Sequence, residues 1–341
     1  MIFNITLLNL RISVVTLSEN IFNQDVEYLN MEQTMSKDNL KYCWEEYYYI
    51  GLQELNSSKC LFEHDFYPQA LFHLQQSVEK LVKTVFFMTI WGLYSSNFSL
   101  FKKALEDCNI LRKSQIGKLT LENFCIELPR MFGHNPTKKY LEFLVCVATK
   151  YYEQGPQVVS DNKKEKVDNM IKDLREFLGK PGKVIRGFTP TLVLEKVAEI
   201  EHIKMDPDEM RSYLDEHIDS ISSENDRIPS ETFKYFYKEF LPLFIGWFNA
   251  FLDIFEIVWL GILFEADNVH SWTRYPTESM TPLELTEEKM KEFKFLELLD
   301  TVGRLYTLPE QILQMKTSFE EKKPLFKKFF KQLVQTQEKR I

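Results

Sequence analysis

The chain has 341 residues, 44% of them hydrophobic and 27% charged, which supports a large buried core and excludes a wholly disordered protein. A formal net charge of −8 excludes a surface that binds nucleic acid everywhere, so any basic site must be local. Eleven glycines and thirteen prolines punctuate a chain with 28 phenylalanines, which favours long helices over many short strands.

The N-terminal stretch MIFNITLLNLRISVVTL is apolar, but it lacks a basic leader segment and Arg11 interrupts it. It does not read as a secretory signal. Met31 and Met35 lie just before the first convincing helix. The native start is expected at one of them, with residues 1–34 as a loose extension.

Residues 38–62 then show apolar or aromatic side chains at Leu40, Cys43, Trp44, Tyr47, Tyr48 and Gly51. This 3-4 stepping predicts a helix. A second helix is predicted over 67–94, entered at Asp65 or Pro68. Leu71, Leu74, Val78, Leu81, Val82 and Val85 form its apolar stripe. Shorter helices are expected at 98–111 and 119–130. Asn135 as N-cap and Pro136 at the first helical position predict another over 136–152.

The segment EQGPQVVSDNKKEK breaks the pattern and marks the best internal boundary. Residues 156–229 are rich in charge, with helices expected at 162–178, 190–204 and 207–222. A long apolar helix is expected from Glu231 to Ala266, then a loop, then helices over 286–307 and 309–336. No internal repeat appears.

Leu241 to Phe264 is long enough to span a bilayer. Asn249, Asp253 and Glu256 interrupt it. Each central acid costs about 2.5–3.5 kcal/mol on insertion, which about fifteen large apolar residues offset to near zero. No Lys or Arg cluster flanks the run, so a buried central helix is the expectation and a membrane segment the alternative.

The five cysteines, Cys43, Cys60, Cys108, Cys125 and Cys146, are odd in number and widely spaced, with no C-x-x-C pair. They read as reduced thiols of a cytoplasmic protein, with neither a zinc site nor a disulfide framework. His64, His73, His202 and His270 show no metal-ligand spacing. GKPGKVIRG lacks the phosphate-loop GK[ST]. No metal or cofactor is expected.

Three islands carry a resemblance. YPQALFHLQQSVEKLVKTVFF (67–87) holds Ala70, Gln75 or Gln76, Glu79, Lys80 and Lys83. It resembles the second helix of HEPN domains, with their A-x-x-x-x-Q-x-x-E-K-x-x-K pattern. GHNPTKKYLEFL (133–144) is similar to the HEPN segment written H-D-L before an apolar helix, although Asn135-Pro136 replaces Asp-Leu. TRYPTESMTPLELTEEKMKEFKFLELLDTV (273–302) resembles the end of that domain, with Arg274, Tyr275 and Pro276 as its R-Y-P triplet. The resemblance covers roughly 38–155 and 231–308. It implies an all-α, antiparallel helical bundle in two parts, 35–155 and 230–308. A charged helical insertion, 156–229, separates them, and a basic amphipathic helix, 309–341, follows.

The resemblance also implies dimers and, in many members, nucleic-acid chemistry. On that reading Gln76, Glu79, Lys80, Lys83, Arg274 and Tyr275 are candidate ligand-binding residues. The plain reading of Glu79 and Lys83 is a solvated i, i+4 ion pair worth a few tenths of a kcal/mol. HEPN ribonucleases share R-x4–6-H, in which Arg steadies charge on the scissile phosphate and His moves a proton. The strict match here is Arg211 to His217. About 0.5 matches are expected by chance, and an acidic setting surrounds it. Arg130 and His134 are one residue short of that spacing but better placed. A structural His at a helix junction and an Arg bracing a loop are the plain readings of His134 and Arg274.

The last 26 residues hold eight basic and three acidic side chains beside Phe319, Phe326, Phe329, Phe330 and Leu333. Such a helix docks by its Phe face or lies on a membrane, RNA or acidic partner. Two functions stay open: a homodimeric module binding a nucleotide, RNA or protein partner without catalysis, and a metal-independent endoribonuclease of defence or toxin type.

Overall fold

The computed structural model describes residues 34–94, 98–120, 123–132, 136–154, 161–179, 189–206, 208, 212, 230–266 and 285–338. Among them the chain is all-α, with no strand. The helices are α1 (Thr34–Glu63), α2 (Tyr67–Tyr94), α3 (Phe98–Asp107), α4 (Lys113–Ile116), α5 (Phe124–Phe132) and α6 (Pro136–Gln154). They continue as α7 (Asp161–Gly179), α8 (Pro190–Glu201), α9 (Ser230–Ala266), α10 (Glu287–Glu292), α11 (Phe295–Leu305) and α12 (Leu308–Glu338). The helix expected at 207–222 falls almost wholly outside the described residues, as does the R-Y-P loop.

The chain divides into two compact units, 1–199 with 254–306, and 200–253 with 307–341. In the first unit α1 and α2 pack along their length, α2 meets α6, and α6 meets α7. Helix α11 closes on α1 and α2. The α1–α2 turn is made by Asp65 in the left-handed region, φ 64°. There the Phe66 amide donates to the Leu61 carbonyl at 2.9 Å, tying off the last turn of α1. Just behind it, the buried Ser58 hydroxyl donates to the Ala70 carbonyl at 2.7 Å.

The abundant phenylalanine has a structural use. Phe86 of α2 lies 4.5 Å from Tyr140 and 5.1 Å from Phe143 of α6, centroid to centroid. Phe101 of α3 and Phe124 of α5 complete the cluster. All five rings are fully buried. Offset and edge-on aromatic packing of this kind adds about 0.5–1.5 kcal/mol per pair beyond burial.

Where α1 crosses α2, Gly51 makes room for Tyr306. A Cβ at Gly51 would sit 2.0 Å from the Tyr306 hydroxyl oxygen and 3.0 Å from Lys80 Cβ. The Tyr306 hydroxyl donates to the Ser77 carbonyl at 2.8 Å, and the Ser77 hydroxyl donates to the Gly51 carbonyl at 3.0 Å. Burial pushes the Tyr306 phenol well above its ordinary value.

The helix expected over 286–307 is two helices. Lys294 adopts φ 58° between α10 and α11. In one unbroken helix Met290 and Phe295 would point about 140° apart. The left-handed residue re-registers the chain so that both are buried.

Two expectations about cysteine are overturned. Cys43 of α1 is bonded to Cys125 of α5, and Cys108 to Cys146 of α6, leaving Cys60 free and exposed. The partners are 82 and 38 residues apart, so only the packing of the bundle brings them together.

Among the described residues one helix segment, Lys238–Phe264 of α9, is long and apolar enough to cross a membrane. Its polar residues have protein partners. In the second unit Asn249 both donates to the Met205 carbonyl and accepts from its amide, and Asp253 pairs with Lys204. In the first unit the fully buried Glu256 pairs with Arg304, and every residue from Phe255 to Phe264 is buried. Gly261 lets α9 approach α2 and α6, since a Cβ there would lie 2.8 Å from Leu141 Cδ2 and 3.3 Å from Val82 Cγ2. In the second unit Lys322 of α12 pairs with Glu239 of α9 at 2.8 Å. The side chains of α12 beyond Leu325 lie outside the described residues.

Candidate functional site

The polar residues of α2 gather on its partly exposed side. Helical spacing stacks Gln75, Glu79 and Lys83 at successive i, i+4 positions, with Gln76 and Lys80 on the neighbouring ridge. Lys83 Nζ donates to Glu79 Oε1 at 2.5 Å, and Lys80 Nζ reaches the same oxygen at 3.4 Å. One carboxylate thus serves two ammonium groups. The side chains of Lys83, Lys80 and Glu79 are 13%, 18% and 28% exposed, so this is no freely solvated surface pair. Burial alone would raise the Glu79 pKa. Lys83 and Lys80 together outweigh it and hold the carboxyl below its ordinary value.

Two aromatic residues complete this site. Lys83 Nζ lies 5.4 Å from the ring centroid of Tyr47 on α1, a cation–π distance. Tyr47 stacks on Phe87 at 5.6 Å. Burial, then the charges of Glu46 and Glu79, raises the Tyr47 phenol above its ordinary value. The Tyr140 hydroxyl of α6 is buried without a hydrogen-bond partner among the described residues, and burial with the nearby Tyr47 and Glu79 raises its pKa strongly. Gln75 Oε1 is likewise a buried acceptor with no such partner. The arrangement is a half-buried notch in which two ammonium groups share one carboxylate, edged by an aromatic face and a buried amide acceptor. It suits binding of an anionic or hydrogen-bonding group. Among the side chains assembled here none is a histidine or a cysteine.

Gln76, Glu79, Lys80 and Lys83 therefore lie together on α2, as the sequence pattern placed them. Tyr47 and Tyr140 were not singled out, because both sit in apolar helical patterns that read as core. Arg130 lies on α5, exposed, with its guanidinium donating to Glu127 at 2.8 Å. His134, Arg211, His217, Arg274 and Tyr275 lie outside the described residues. Among the other histidines, His73 is paired with Glu54 at 2.5 Å, and the His64 ring shares a 2.8 Å hydrogen bond with the Cys60 carbonyl.

No curated protein and no solved structure matches this chain. A family model does match, running from Trp44 in α1 through α2 and α6 to a point beyond the end of α7. It takes in the whole notch, and with it the helix whose A-x-x-x-x-Q-x-x-E-K-x-x-K pattern carried the resemblance: residues 44–183 match the family model of the HEPN domain.

Proposed function

We propose that this HEPN-matching region is a binding module, which pairs with a second copy of itself and takes up a nucleotide, RNA or protein partner along the polar side of α2. No catalytic step is part of this reading. The observation that carries it is the pair Lys80 and Lys83 held half-buried on one carboxylate. Two ammonium groups sharing one acid retain capacity for a further anion, and their partial burial strengthens its attraction relative to open solvent. An anionic group of a nucleotide or RNA is the best-matched occupant.

A metal-independent endoribonuclease is the competing reading. It requires an Arg and a His that converge across two subunits. Arg130, the described member of those candidates, is engaged by Glu127 at the surface.

The test has two arms. Light scattering on the full chain measures the mass, with a dimer expected. Fluorescence anisotropy with a labelled single-stranded RNA and a labelled nucleotide is expected to show saturable binding. The double variant Lys80→Met, Lys83→Met keeps the apolar stems and should weaken binding at least tenfold. A monomer that binds neither probe would sink the proposal. RNA cleaved without added metal, and spared by His134→Ala or His217→Ala, would replace it with the nuclease.

A further inference from the structure

Away from the α2 notch, the first unit holds an open cleft of about 580 Å³ between the α3–α4 segment, the end of α5 and the start of α6. Its volume is within the usual range for small-ligand sites. The floor is apolar: Ile110, Leu111 and Phe132 are each more than nine-tenths buried. Phe132 is braced edge-on against Tyr140 at 5.0 Å, so the floor is firm. The rim is cationic. Arg112, Lys113 and Lys139 line the cleft with a single carboxylate, Glu106, among them. Glu106 lies 3.4 Å from Lys113, with both side chains exposed, and Lys139 is engaged by Glu142 at 2.6 Å. No carboxylate among the described residues pairs with the Arg112 guanidinium. In a chain of net charge −8, three cations about one cleft run against the overall balance.

The walls are also fastened covalently. Cys108 adjoins Asn109 of the wall and is bonded to Cys146 of α6, while Cys125 ties α5 to α1. A site whose walls are held before binding loses less entropy when a ligand arrives.

We propose that this cleft binds a small phosphorylated molecule, with the phosphate on Arg112 and Lys139 and an apolar or aromatic body over Ile110, Leu111 and Phe132. Arg112 is the key group, because a planar guanidinium free of a carboxylate can grip a phosphate through two hydrogen bonds. The ligand chemistry is a phosphate ester with an apolar portion. A free nucleotide and the 5′-phosphorylated end of an RNA both supply it. The proposal stands apart from the α2 notch and does not depend on it.

The experiment is isothermal titration of the full, oxidised chain with AMP, with a 5′-phosphorylated RNA dinucleotide, and with inorganic phosphate alone. At least one of the two esters is expected to bind saturably and more tightly than inorganic phosphate, with affinity falling as salt rises. Which ester binds better identifies the source. Arg112→Glu is expected to weaken binding at least tenfold, and Lys139→Met several-fold. Both positions are on the rim, and circular dichroism checks that the variants fold. In the Lys80→Met, Lys83→Met background, where the α2 notch is weakened, the Arg112-dependent part of the binding should remain. Absence of saturable binding to either ester at millimolar concentration would overturn the cleft proposal. So would binding indifferent to Arg112→Glu, and if that binding were lost in the α2 variant, it would belong to the notch instead.

Discussion

Gly51 shows how one residue can decide a helix crossing. On an exposed helix a Gly→Ala change gains about 1 kcal/mol from propensity. At Gly51 the new methyl meets a buried Tyr306 ring whose hydroxyl is already committed to Ser77. Overpacking of this kind costs about 1–3 kcal/mol, so Gly51→Ala is expected to lower the urea midpoint, not raise it. Tyr306→Phe tests the same junction from the other side. It removes the hydroxyl that donates to the Ser77 carbonyl and lies 3.1 Å from the Ser77 hydroxyl, with an expected loss of about 1 kcal/mol. Glu79 gives a pH signature. Its carboxyl is held below the ordinary value in the folded state. Its stabilisation is therefore complete above the unfolded carboxylate range near ~4.3 and is lost as pH falls through the folded value. Glu79→Gln should destabilise at pH 7, and the difference from the parent should shrink by about pH 3, measured by chemical denaturation at both. A difference that grows on acidification would contradict the ion-pair account. These residue-level roles were unevenly legible. Glu79, Lys80 and Lys83 stood out as charges in an apolar helix, whereas Tyr47 and Tyr140 were camouflaged by the stripes they belong to.

Helices were more legible than their junctions. Both ends of α2 could be read directly, because a turn at Asp65–Phe66 and Pro68 precede a long 3.6-residue stripe. The break at Lys294 could not, since nothing in EKMKEFKFLELL is a breaker and the left-handed residue is a lysine. Tertiary packing of Met290 and Phe295 imposes it. The same contrast holds for α9. Composition left its membrane character undecided, and the partners of its polar residues were invisible until the fold supplied them. Arg304→Ala would remove an ion-pair partner from the fully buried Glu256 carboxylate. The expected loss is about 2–3 kcal/mol, below the ~3–5 typical of pairs buried on both sides because Arg304 is 40% exposed. A loss within ±0.5 kcal/mol would mean that Glu256 does not depend on Arg304.

At the scale of the whole molecule, scarce Gly and Pro favoured long helices over many short strands, and among the described residues the chain is all-α. The cysteines went the other way. An odd count and wide spacing suggested free thiols, and no spacing rule reveals partners brought together only by helix packing. Closing loops of 82 and 38 residues restricts the unfolded chain by ~4 kcal/mol each on chain-entropy grounds. Reduction, or the pair Cys108→Ser and Cys146→Ser, should therefore lower the melting temperature by several degrees, read by calorimetry. An expected cytoplasmic setting would oppose these bonds. Peptide mapping of unreduced protein from its native cells decides between the two, with alkylation expected at Cys60 alone if both bonds persist.

The order of the bonded cysteines along the chain has one more consequence. The two bridges interleave, 43 to 125 and 108 to 146. Every peptide bond between Cys43 and Cys146 thus lies under at least one of them. A protease that cuts once anywhere in that stretch opens the backbone without separating the pieces. The nicked chain should run as one band on a non-reducing gel and as two after reduction, so damage within most of the HEPN-matching region need not release any part of it.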